Sequence, residues 1–351
     1  MTDKRSLSTI QRARRRYGSA PTRRGQRGVA LLIAILLVAF GTIIAAAMAY
    51  NNAMTARRAA ATFEFDQAVL VAQGAEAIAA YGLQQTAKQN YPDTDTSQPW
   101  ATALPSMEVM PGVTLDASME DLQGRFNLNE LVQTDGETPN TAAIAAFQRL
   151  LTMVNLDPKW ADYLVDWIDK NTEPMFPDGA EDSVYMEMDP PYRTPNLPIT
   201  STSELLALPG FTRADFDRLA PYIVALPLGT GINTCDASPQ LLDALTGNQQ
   251  FSSDPQQFTK QRQEAGSCFP SPADVQTAAA NVQGGGGTGT TTGASGQNPQ
   301  QRLSSILVQK SSWFRLTSYV TLGSAEFAVY TTLYQDPTGM TRPVLRSFTP
   351  D

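Results

Sequence analysis

Between positions 166 and 189 the chain carries Asp166, Asp169, Glu173, Asp178, Glu181, Asp182, Glu187 and Asp189 against the single Lys170. Eight acids within 24 residues repel one another unless water or a cation screens them. Pro174, Pro177 and Gly179 favour a loop over a helix there, and such a loop can wrap oxygen atoms around a hard cation. Calcium, with roughly six to eight oxygen ligands, suits it. Asp169-x-Asn171-x-Glu173 echoes the opening of an EF-hand, but Pro174 stands where the turn glycine belongs and Glu181 falls one residue late for the last ligand. The candidate ligands are Asp169, Asn171, Glu173, Asp178, Glu181 and Asp182. From the residues alone a solvated acidic loop is an equal alternative. A glycosidase pair of carboxylates is a third reading, but no substrate-cleft signature accompanies it.

Histidine is absent from all 351 residues, which excludes serine–histidine–acid triads, cysteine–histidine dyads and the common zinc sites. The two cysteines, Cys235 and Cys268, are too few for a four-cysteine metal site on one chain. An enzyme is disfavoured, and catalytic residues are expected to be none. In an oxidising compartment the two cysteines are expected to form a disulfide bracketing a poorly structured stretch at 248–266, with two buried free thiols as the alternative.

The elements that must position these groups begin at a membrane. Residues 1–28 hold nine bases and one acid, whereas the remainder holds 17 bases and 33 acids, a net charge of −16. No charge occurs from Val29 to Ala56, and 29–50 reads VALLIAILLVAFGTIIAAAMAY, long enough as a helix to cross a hydrocarbon core of roughly 30 Å. The basic flank keeps the N-terminus cytoplasmic and sends the acidic body across the membrane. That body is a poor partner for nucleic acid, whose phosphates need Lys and Arg.

Periodic apolar residues continue the helix to about position 89, some 90 Å at 1.5 Å per residue. The rest reads as short strands at 113–117 and 124–127, then helices at 141–153, 158–170, 203–208 and 212–223. A glycine-rich, low-complexity stretch at 283–301 is expected to be a disordered loop. Strands follow at 313–322, 326–334 and 344–348. The expected fold class is α+β: a pilin-like fold, its long N-terminal transmembrane helix packed on an antiparallel sheet, with a large inserted α-helical domain of SAM-like helix pairs. The expected boundaries are a leader at 1–28, the helix at 29–89, a head made of 90–127 and 229–351, and the insertion at 128–228. LALPGF at 206–211 resembles a helix-hairpin-helix turn. Its nearby bases are only Arg213 and Arg218, against Glu204, Asp215 and Asp217.

The RRGQRG–VALLIA junction resembles the signal of type IV pilins and pseudopilins, which implies peptidase cleavage between Gly28 and Val29. The fifth residue after the cut, glutamate in most such proteins, is Ile33 here. Further stretches, GVALLIAILLVA, DLQGRFNLNEL, DWIDKNTEP, DGAEDSVY, PPYRTPN, SELLALPGF and LAPYIVALP, resemble the K-type minor pseudopilins of the type II secretion system (general secretion pathway protein K family). The resemblance implies a non-enzymatic subunit at the tip of the pseudopilus, initiating assembly and controlling fibre length with I- and J-type partners, above H- and G-type subunits. It also implies methylation after cleavage, contact with the prepilin peptidase and the inner-membrane platform, and a structural calcium ion. Exoproteins or the secretin are further candidate contacts. The expected location is the inner membrane, with the head in the periplasm. The alternative is a membrane-anchored periplasmic binding module outside any filament.

Overall fold

The computed structural model describes residues 27–266, 268–283 and 299–349. The expected leader, apart from Arg27 and Gly28, and most of the glycine-rich stretch lie outside the described residues. The chain divides into two compact units at Phe63/Glu64. The first, as described, is the opening half of helix α1 (Arg27–Lys88), exposed from Gly28 onward except for half-buried Met54, and α1 is long and apolar enough to cross a membrane.

In the second unit the last turns of α1 turn Ala68, Ala72, Ala75, Ala79 and Leu83 onto a five-stranded sheet. The spacing of three and four keeps these residues on one stripe, and four alanines let the helix axis approach the sheet closely. The strands are β1 (Leu104–Met110), β2 (Val113–Asp121), β7 (Trp313–Leu322), β8 (Ala325–Gln335) and β9 (Thr341–Ser347), all paired antiparallel in the order β1-β2-β7-β8-β9. Alternation decides which side faces α1. In β7, Phe314, Leu316, Val320 and Leu322 are buried while Arg315, Thr317 and Tyr319 point away. Glu76 of α1, buried at 5% exposure, accepts from Arg346 Nε (2.6 Å), Arg346 Nη2 (2.7 Å) and Thr331 Oγ1 (2.8 Å), which fixes the helix to β8 and β9. The fold is α+β and pilin-like, as the sequence led us to expect.

β2 and β7 are neighbours in the sheet, Asp121 opposite Phe314, so the whole of 122–312 leaves the sheet between them. Its helices are α2 (Thr141–Met153), α3 (Trp160–Ile168), the single turn α4 (Asp182–Tyr185), α5 (Arg213–Leu219), α6 (Pro239–Thr246), α7 (Pro255–Ala265), α8 (Pro272–Gln283) and α9 (Pro299–Ile306). Two short parallel pairs tie it down: β3 (Phe126–Asn127) with β4 (Ile223–Val224), and β5 (Ile232–Asn233) with β6 (Leu307–Val308).

One continuous core runs from Phe126 through Phe147, Leu164 and Ile223 to Leu241, Val275 and Leu307. The same core continues beyond 228, where Leu241, Leu242 and Leu245 of α6 close the apolar face of α2. Two expectations are corrected. β1 was not expected: it is an edge strand with six of its seven residues exposed, so it carries no buried alternation. The supposedly unstructured 248–266 contains α7, started by Asp254 accepting from Gln257 N and by Pro255 in the first turn.

Candidate metal centre

α3 ends where its amphipathic pattern ends, and its last turns deliver Asp166 and Asp169 into the interior, at 0% and 2% exposure. Asp166 accepts from Met175 N at 2.9 and 3.0 Å, folding the proline-bearing loop back over α3. Only glycine fits at 179, where a Cβ would collide with both Asp166 Oδ2 and the backbone of Met175. The loop then enters α4 through Glu181, which is buried.

Four buried side-chain atoms in this region have no hydrogen-bond partner: Asp169 Oδ1, Glu181 Oε1, Asn196 Oδ1 and Tyr185 OH. The other ends of the first three groups are held. Asn171 Nδ2 donates to Asp169 Oδ2 (2.8 Å), Thr194 Oγ1 donates to Glu181 Oε2 (3.2 Å), and Asn196 Nδ2 donates to the Asn171 carbonyl (2.9 Å). Three oxygen acceptors are thus fixed and left bare, in a molecule where a bare buried acceptor costs about 1–3 kcal/mol.

The charges agree with the geometry. Burial, then the charges of Glu181 and Asp169, pushes Asp166 up to about 7. Burial and Glu181 push Asp169 up to about 6, and burial raises Glu181. Lys170, the one lysine of the segment, is spent elsewhere, donating to the Asp135 carbonyl at 2.6 Å. Arg193 meets Asp182, at 3.4 Å on the exposed side. Among the described residues, neither of these cations compensates Asp166, Asp169 and Glu181. A hard divalent cation matches the donor set, which is all oxygen.

Of the expected ligands, the structure gathers Asp169, Asn171 and Glu181, with Asp182 beside Thr194 (3.2 Å). Glu173 and Asp178 are exposed. Glu173 contributes its backbone N–H to Asn171 Oδ1 (2.7 Å), and the charge of Asp178 faces Asp162. Among the described residues no three acidic or cysteine side chains converge as a ready-made ligand set, so the site needs neutral oxygens to complete it. Asn196 Oδ1 is the neutral oxygen left bare, and Asn196 and Thr194, which holds Glu181, were both missed in the acid run. Both sit in PPYRTPN, one of the stretches that carried the family resemblance.

The remaining candidates are placed as follows. Gly28, Val29 and Ile33 lie on exposed turns of α1. Cys235 and Cys268 are joined in a disulfide. The hairpin at 206–211 has its two bases engaged, Arg213 Nε donating to Asp217 (2.8 Å) and Arg218 to Asp215 (2.5 Å) and to the Asn155 carbonyl (3.0 Å).

A helix long and apolar enough to cross a membrane, a sheet packed on its second half and a helical insertion between neighbouring strands define a pilin-like subunit. Residues 124–228 match the family model described as "Type II secretion system (T2SS), protein K". Type II secretion system protein K of Pseudomonas aeruginosa is 33% identical over 232 residues, 64% of this chain and 69% of that protein; the Klebsiella pneumoniae protein is 36% identical over 218 residues, 60% and 66%. The matches thus span about two thirds of the relatives' length. A chain in the crystal structure of the GspK-GspI-GspJ complex from enterotoxigenic Escherichia coli superposes with a TM-score of 0.67 at 20% identity, covering 84% of this chain and 100% of that one. The chain belongs to the type II secretion system protein K family, the K-type minor pseudopilins.

Proposed function

We propose that this subunit caps the tip of the pseudopilus, starting assembly and limiting fibre length together with I- and J-type pseudopilins, with H- and G-type subunits below. The observation that carries the reading is Ile33. It lies half-exposed on an apolar helix with no acid from Val29 to Ala56. A glutamate at that position needs the amino terminus of a neighbour ahead, because an unpaired charge in lipid costs several kcal/mol. Isoleucine needs none, so the subunit can sit first. The insertion at 122–312 adds bulk to the head, and above a first subunit nothing has to stack. The crystal structure with GspI and GspJ supports the choice of partners.

In this reading the prepilin peptidase cuts between Gly28 and Val29, the helix stays in the inner membrane, and the head lies in the periplasm. The subunit is non-catalytic and supports export of folded proteins, with contacts to the inner-membrane platform and to exoproteins or the secretin. Calcium is its structural ion. Asp169, Glu181 and Asn196 would hold it, with Asn171 and Thr194 fixing their orientation. The ion supplies positive charge to two buried carboxylates and ties the end of α3 to the start of α4. Gold labelling of the head tests the position: label at one end of overproduced fibres is expected, and label spread along them refutes the cap. N-terminal sequencing should begin at Val29.

A further inference from the structure

The fourth bare atom at the metal centre, the hydroxyl oxygen of Tyr185, is not among the oxygens assigned to the ion. Tyr185 is 0% exposed, and its OH has no hydrogen-bond partner. The ring is held from both sides. It packs on Trp167, which follows Asp166 in α3, with centroids 5.4 Å apart, and on Tyr192, also at 5.4 Å. Those neighbours are fixed in turn: Trp167 Nε1 donates to Glu204 Oε2 (3.2 Å), and Tyr192 OH donates to the Ala207 carbonyl. The backbone N–H of Tyr185 donates to the Glu181 carbonyl (3.4 Å), one helical turn back. Tyr185 and Glu181, both buried, therefore stand on the same side of that turn.

Packing alone does not call for this hydroxyl. Phenylalanine would fill the same ring volume and leave no buried polar atom unpaired. The ion, on the other hand, needs more oxygen than the side chains offer. Asp169, Glu181 and Asn196 present three bare oxygens, whereas calcium takes roughly six to eight ligands, and among the described residues no larger set of acids converges. Water has to supply part of the remainder. Water on a divalent cation is a strengthened donor, and a neutral phenol oxygen accepts from it. Burial first, then Tyr192, Tyr163, Asp166 and Glu181, pushes the ionisation of Tyr185 up, which keeps the phenol neutral.

We propose that Tyr185 is a positioning residue of the metal centre, its hydroxyl accepting from a water that completes the shell begun by Asp169, Glu181 and Asn196. The proposal rests on the calcium reading above. It gives the bare hydroxyl a partner only in the loaded protein, and it ties the ion to the aromatic stack of Trp167, Tyr185 and Tyr192. Outer partners of this kind are worth about ten- to a hundredfold in metal affinity.

Calcium titration, terbium luminescence and thermal melting test this on the full chain in detergent micelles, for the wild type and Tyr185→Phe. Terbium replaces calcium at oxygen sites and emits when light absorbed by nearby aromatic rings reaches it. Its decay in H2O against D2O counts the waters on the ion. The wild type should hold at least one. Tyr185→Phe should bind calcium about ten- to a hundredfold more weakly, yet in chelator it should melt no lower than the wild type, because it sheds an unpaired hydroxyl. Terbium bound to the wild type without water overturns the proposal, as does a variant with wild-type calcium affinity. A variant that melts lower in chelator also overturns it, since the hydroxyl would then serve the metal-free fold. These three results leave the calcium reading standing. Failure of the wild type to bind either metal removes that reading, and the proposal with it. Should Tyr185→Phe fail to fold, the water count in the wild type still decides.

Discussion

Replacing Asp169 by asparagine should invert the order of stability between calcium-free and calcium-loaded protein. Without metal, Asp169 is ionised at pH ~8 although burial and Glu181 have moved it from 3.8 to about 6, which at 1.36 kcal/mol per unit places about 3 kcal/mol of strain on the native state. The Asp169→Asn substitution removes that charge but loses the bond from Asn171 Nδ2, about 1 kcal/mol. The calcium-free variant should therefore be about 2 kcal/mol more stable than the wild type. Calcium at a hundredfold excess over its dissociation constant stabilises the wild type by about 2.7 kcal/mol and the variant by almost nothing, so the order reverses. For a unit of this size each kcal/mol is about 2 °C of melting temperature. Differential scanning fluorimetry or calorimetry in chelator, calcium and magnesium reads the result. Wild type should rise by about 5 °C with calcium and much less with magnesium, which sheds water reluctantly. A variant that melts below wild type in chelator, or that keeps the full calcium shift, would show that Asp169 is an ordinary buried acid and not a ligand.

Three further outcomes are expected. Glu76→Ala removes a bidentate partner of Arg346 and leaves the buried Thr331 hydroxyl unpaired, so urea titration should show a loss of about 2–4 kcal/mol, and a cycle with Arg346→Ala should return part of it as coupling. Asn129→Ala breaks bonds to the Ile199 carbonyl (2.9 Å), the Leu226 carbonyl (2.7 Å) and Ile199 N (2.8 Å), all buried; a loss of about 3–5 kcal/mol is expected, with local exchange rising first at 199 and 226. Cys268→Ser opens a loop of 33 residues and should cost about 3–4 kcal/mol by chemical denaturation, matched by the reduced wild type; a reduced wild type as stable as the oxidised form would argue against it.

Much of this protein follows from local rules written in its sequence. The uncharged run from Val29 to Ala56 and the three-and-four spacing of Ala68 to Leu83 commit α1 to a helix, because both signals are local and periodic. The same holds for β7, where alternation is plain, and for the acid run at 166–189, where like charges demand screening. Absent histidine removed whole classes of catalyst. Tertiary structure decided the rest. β1 became a strand because β2 offered it an edge, and α6 joined the helical block because its leucines closed the face of α2. The candidate ligand set was decided the same way. Sequence proximity ranked Glu173 and Asp178 with Asp169, but a ligand is chosen by burial and by what its other atoms already hold. Those two stay in water, whereas Asn196, 27 residues along from Asp169, is turned inward by its bond to the Asn171 carbonyl. Charge density is a property of the chain; a buried oxygen left without a partner is a property of the packed molecule, since only packing removes the water that would otherwise satisfy it.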